Sequence, residues 1–181
     1  LWDFKTKDLI TTFKGHLKDC TGTCTDAKAP HLIGSSSTDK TIRIWDTRVG
    51  GAVRKWTAKY STNCCTMLPE GKGIAAGCDN ASWEVYDVGS NTQCARGKVK
   101  SGRCESIAAS ASGRFLYMGW DSIPLMMADT YTPDSMLKLD KSVPEVGKYA
   151  HTDMVKGLAM SPTGDGLLSA SFDGTCKLWA M

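Results

Sequence analysis

Four stretches of the chain end an apolar strand on an aspartate or its equivalent: Leu1-Trp2-Asp3, Ile44-Trp45-Asp46, Val85-Tyr86-Asp87 and Met127-Ala128-Asp129. A fifth, Lys177-Leu178-Trp179, stands near the end of the sequence. The aspartates are 43, 41 and 42 residues apart. One Trp-Asp-like strand in each period of forty-odd residues is the pattern of a propeller blade. The expected fold is therefore all-β, a β-propeller of about four blades.

Within each period, short β-branched or aromatic runs are separated by Gly, Asn, Asp or Ser turns. The first repeat runs over 8–46, with strands expected at Leu9–Phe13, Cys20–Thr25, Leu32–Ser36 and Thr41–Trp45. The others run over 53–87, 93–129 and 136–179, all parts of one propeller domain spanning 1–181. The fourth is longer by a Pro-, Gly- and charge-containing stretch between Tyr131 and Tyr149, which reads as a loop. Almost no helix is expected.

In the first repeat, His16, Ser35, Asp39 and Trp45 stand where a blade can build a buried hydrogen-bond relay. Imidazole can donate at one nitrogen and accept at the other, and an indole N–H only donates. The fourth repeat carries the same set as His151, Ser169, Asp173 and Trp179, with identical Ser-to-Asp and Asp-to-Trp spacings. The second repeat has Lys59, Ala76, Asn80 and Tyr86 at these places, and the third has Met118, Ser122 and Ala128 with no histidine. Those two blades are expected to be held by apolar packing alone or to be more tolerant of movement. A general-base or metal-ligand role for the two histidines is the rival reading. No nucleophile-elbow pattern surrounds the serines, and no P-loop, His-Glu-x-x-His or dinucleotide fingerprint occurs. No catalytic residue, metal site or cofactor is expected.

The net charge of +3 is small for 181 residues, which argues against a dedicated nucleic-acid binder. No apolar run approaches the length of a spanning helix. The eight cysteines lack paired Cys-x-x-Cys spacing, although Cys64 and Cys65 are adjacent. They read as reduced, structural residues, which favours an intracellular, cytoplasmic protein.

The repeats resemble the WD-repeat family. Three stretches bring the chain closest to the C-terminal half of a heterotrimeric G-protein β subunit: Thr11 to His16 behind the opening Leu1-Trp2-Asp3, Ser112 to Asp121, and Ser169 to Trp179. The resemblance implies a seven-bladed ring of which this is one part. It implies a non-catalytic interaction subunit in signal transduction, with α and γ subunits as partners and peripheral membrane association through them. It also implies a partner face that includes Asp19, Thr21, Thr62, Cys64, Asp79 and Phe172. Asp19 and Asp79 match the family. The family has Met, an acid, Asn and Trp where this chain has Thr21, Thr62, Cys64 and Phe172. Trp120, beside the third turn, is expected to be an exposed aromatic on the same face, as at interface hot spots. The alternative is a WD-repeat scaffold or adaptor of another multiprotein complex.

Overall fold

The computed structural model describes residues 1–122, 125–139 and 150–180. Residues 140–149, most of the expected fourth-repeat loop, lie outside this description. Among the described residues fifteen strands form four antiparallel sheets. The first sheet contains β1 (Cys20–Thr25), β2 (Leu32–Ser37), β3 (Thr41–Asp46) and β4 (Gly51–Thr57) in that order. The second contains β5 (Thr62–Met67), β6 (Gly73–Cys78), β7 (Ser82–Asp87) and β8 (Gln93–Lys98). The third contains β9 (Cys104–Ala109), β10 (Phe115–Trp120), β11 (Leu125–Asp129) and β12 (Met136–Lys138). The fourth contains β13 (Val155–Met160), β14 (Gly166–Ser171) and β15 (Cys176–Ala180). Pro69–Gly71 makes a single 3₁₀ turn.

The first strands of the sheets, β1, β5, β9 and β13, lie side by side in series, and the sheets fan outward from them. This is a partial propeller of four blades. Each of the first three blades is completed by a strand from the start of the next repeat, so blade and repeat boundaries are offset. The expected strand at Leu9–Phe13 is reduced to one bridge between Trp2 and Leu9.

The recurrent aspartates share a local job. Their Oδ1 atoms accept backbone N–H groups just beyond the strand: Lys5 at 2.7 Å on Asp3, Arg48 at 2.9 Å on Asp46, Ser90 at 2.6 Å on Asp87 and Tyr131 at 2.9 Å on Asp129. Such side-chain turns stop the strand and reverse the chain.

The core lies between blades. Trp56 of the first blade stacks on Tyr86 of the second, ring centroids 5.3 Å apart. Ile42, Ile44 and Ile74 fill the same cluster. Trp83, Leu116, Met118 and Trp120 are buried between the second and third blades. Tyr117, Leu125, Val155 and Leu167 join the third to the fourth. Trp120 thus corrects the sequence reading. The Gly-Trp-Asp-Ser run looks like a turn, but β10 continues through Trp120, which is 0% exposed and cannot be a surface hot spot.

Candidate functional site

The two relays are built alike. In the first blade Trp45 Nε1–H donates to Ser35 Oγ at 2.8 Å, and Ser35 Oγ lies 2.7 Å from His16 Nε2. His16 Nδ1 is 3.1 Å from Asp39 Oδ2. A carboxylate only accepts, so Nδ1 carries the proton and Nε2 is left to accept from the Ser35 hydroxyl. The fourth blade repeats this with Trp179 to Ser169 at 2.8 Å, Ser169 to His151 at 2.7 Å and His151 to Asp173 at 2.7 Å. The structure adds a fifth member that sequence reasoning missed. Thr41 Oγ1 donates to Asp39 Oδ1 at 2.6 Å, and Thr175 Oγ1 to Asp173 Oδ1 at 2.7 Å. The shared Asp-x-Thr spacing carried that signal.

Burial alone would raise the Asp39 and Asp173 carboxyls. The threonine hydroxyls, the histidines and backbone N–H groups of Leu17, Thr41, Thr152 and Thr175 outweigh it and hold both below the ordinary carboxylate range. Each relay pins the turn after its second strand to the segment before its first strand. That is a positioning role. Among the described residues no group of three or more His, Cys, Asp or Glu side chains could hold a metal.

The second blade has replaced its relay rather than lost it. Tyr86 Oη donates to Glu84 Oε2 at 2.5 Å, both residues buried. The expectation of apolar packing alone is therefore corrected for this blade. Burial, then the Glu84 carboxylate, pushes the Tyr86 phenol up.

The relays support a rim at one end of the first strands. In every blade the residue after the second strand hydrogen-bonds back to the entry of the first: Thr38 N–H to Asp19 O at 3.1 Å, Asp79 to Ser61 at 3.1 Å, Asp121 to Arg103 at 3.1 Å and Phe172 to Met154 at 3.0 Å. In every blade, too, the second residue of the first strand is skipped by the register: Thr21, Asn63, Glu105 and Lys156. Such a bulge turns one side chain out of the pleat. Asp19, Ser61, Arg103 and Met154 are thus equivalent, as are the four bulge residues, and as are Thr38, Asp79, Asp121 and Phe172.

This geometry sorts the expected partner residues. Asp19, Thr21 and Asp79 are exposed on the rim, and Phe172 is 64% exposed there. Thr62 and Cys64 are not on it. Thr62 is fully buried, accepting from Ser37 N–H at 3.0 Å and donating to Ser37 O at 2.9 Å, which ties the second blade to the first. Cys64 packs in the core against Cys104. The position-by-position carry-over is one residue out of register in this blade, whose loop between first and second strands is one residue shorter: Thr23 pairs with Ser35, but Cys65 with Ala76. Ser61 and Asn63 hold the rim positions. Leu17, 87% exposed beside His16, is a rim residue that the sequence did not flag. Bulge residues reach across to the next blade: Thr21 Oγ1 donates to Thr62 O at 2.7 Å, and Lys156 pairs with Glu105.

Two independent copies of one five-residue relay, in sheets that fan from adjacent first strands, agree with the family comparison. The pattern described as WD domain, G-beta repeat matches residues 7–46 and 144–180, the two repeats that keep the full relay. Residues 7–46 and 144–180 are WD40 repeats. The second and third repeats complete the same architecture with altered polar residues. Along 99% of its length the chain is similar to guanine nucleotide-binding protein β subunits: 28% identical to that of Solanum tuberosum, 29% to that of Arabidopsis thaliana and 27% to that of Oryza sativa subsp. indica. It spans about half the length of each, 50%.

Proposed function

We propose that this WD40 segment belongs to a non-catalytic interaction subunit that binds other proteins on the rim described above. The proposal extends to a G-protein β role, with a nucleotide-binding α subunit recognised around Asp19 and Asp79 and a γ subunit as a second partner. The observation that carries it is the combination of whole-chain similarity to β subunits with two exposed rim carboxylates, Asp19 and Asp79, held by backbone bonds in equivalent blades. Recognition there is steric and electrostatic. Short turns on a packed sheet present fixed side chains, so little entropy is lost on binding. An intracellular location is part of the proposal and is supported by eight free cysteines. Among the described residues no helix is long and apolar enough to cross a membrane.

The test is affinity capture of the full-length protein from its own cells, once with GDP and once with a non-hydrolysable GTP analogue. Retention of a guanine-nucleotide-binding α subunit with GDP only, lost in an Asp19→Ala/Asp79→Ala variant, supports the reading. A nucleotide-indifferent set of partners overturns the G-protein role and leaves a WD40 scaffold, a reading favoured by the altered rim at Thr21 and Phe172.

A further inference from the structure

Four of the eight cysteines form two close pairs, and both pairs cross from one blade to the next. Cys24 Sγ lies 3.6 Å from Cys65 Sγ, joining β1 to β5. Cys64 Sγ lies 3.7 Å from Cys104 Sγ, joining β5 to β9. Successive strand residues face opposite ways, so the adjacent Cys64 and Cys65 reach the blades on either side. Two glycines clear the space the sulfurs occupy. A Cβ added at Gly34 would fall 2.5 Å from Cys24 Sγ, and one at Gly77 would fall 2.7 Å from Cys64 Sγ. Packing therefore presses the thiols together in pairs. A disulfide, at about 2.05 Å, needs each pair to close by roughly 1.6 Å.

We propose that these pairs are two inter-blade modification sites, which a peroxide converts into the disulfides Cys24–Cys65 and Cys64–Cys104. One thiolate of a pair attacks a peroxide oxygen, becomes a sulfenic acid and, with a proton, releases one water. The second thiol attacks that sulfur, forms the S–S bond and expels the second water. Two thiols are oxidised and one hydrogen peroxide is reduced to two waters. Cys24 is half-buried whereas Cys65, Cys64 and Cys104 are buried, so the oxidant reaches the first pair before the second. The contact with Cys65, then burial, holds the Cys24 thiol above its ordinary range, and burial, then Cys64, does the same for Cys104. The reaction is accordingly slow at neutral pH and limited by thiolate. Once made, the two bonds staple three blades through their first strands.

The test uses the intact protein, purified reduced, with the exposed Cys20, Cys94 and Cys176 changed to Ser to suppress cross-links between molecules. It is treated with hydrogen peroxide across a pH series, alkylated in denaturant and peptide-mapped. Two linkages are expected, Cys24–Cys65 and Cys64–Cys104, with Cys78 left alkylatable. Their rate should rise roughly tenfold per pH unit. Cys65→Ser should abolish the first linkage alone, and Cys64→Ser the second alone. Mapping of the parent protein needs neither of those two variants to fold. Recovery of all four thiols alkylated, or a Cys64–Cys65 linkage in their place, overturns the proposal.

Discussion

Changing Ser35 to Ala tests the relay at its centre. Ser35 Oγ accepts the Trp45 indole N–H at 2.8 Å and lies 2.7 Å from His16 Nε2. Removing it strands two groups in a place with almost no water, since Trp45 and the His16 ring are nearly fully buried. Each buried group left unpaired costs about 1–3 kcal/mol. Ser35→Ala is therefore expected to destabilise the protein by about 2–4 kcal/mol. Trp45→Phe removes the same N–H and leaves Ser35 with His16, so the two changes overlap. A double-mutant cycle by urea denaturation, followed by circular dichroism, should give a coupling of about 1 kcal/mol with an unchanged denaturant slope. A Ser35→Ala cost under about 0.5 kcal/mol, or additive single effects, would refute the argument that the relay is a connected unit.

Three further outcomes follow from the same geometry. Tyr86→Phe leaves the buried Glu84 carboxylate without its 2.5 Å donor and should cost about 1.5–3 kcal/mol, whereas Glu84→Gln with Tyr86→Phe should recover part of that in the same denaturation assay. Asp39 and Asp173 titrate below their ordinary value of 3.8 when folded, so the unfolded chain takes up protons first as acid is added. The stability they contribute is complete above about pH 5 and is lost as pH falls through their folded values. Urea midpoints measured from pH 6 to pH 3 should drop, and an Asp39→Asn/Asp173→Asn variant, less stable at pH 6, should drop less steeply. Trp120→Ala should cost about 3–5 kcal/mol in stability. Impaired partner capture by a Trp120→Ala protein of unchanged melting behaviour would contradict its burial.

The architecture was legible because its signals repeat. Aspartates at a fixed period mark turn positions, and the Ser-Asp-Trp spacing occurs twice with a histidine ahead of each, so each copy checks the other. What failed depended on facing rather than spacing. Trp120 read as a turn residue because Gly119 and Asp121 flank it, yet packing between blades rewards a large aromatic at the end of a second strand. Thr62 and Cys64 were misplaced because the second repeat is one residue shorter between its first two strands, and a residue-by-residue carry-over does not see that gap. Glu84 and Tyr86 look unrelated until the pleat puts them on one face. The thiol pairs join residues about forty positions apart, and no local pattern carries that pairing.

The bulge in the first strand has a consequence for how such a molecule can change. A side chain at that position falls outside the two-residue alternation of its strand, so its identity is not fixed by the apolar faces on either side. The four copies illustrate this within one chain: a hydroxyl at Thr21, an amide at Asn63, a carboxylate at Glu105 and an ammonium at Lys156, on one shared backbone. Folding and recognition are in this way written at separate positions, and the ring can take up a new binding vocabulary one blade at a time.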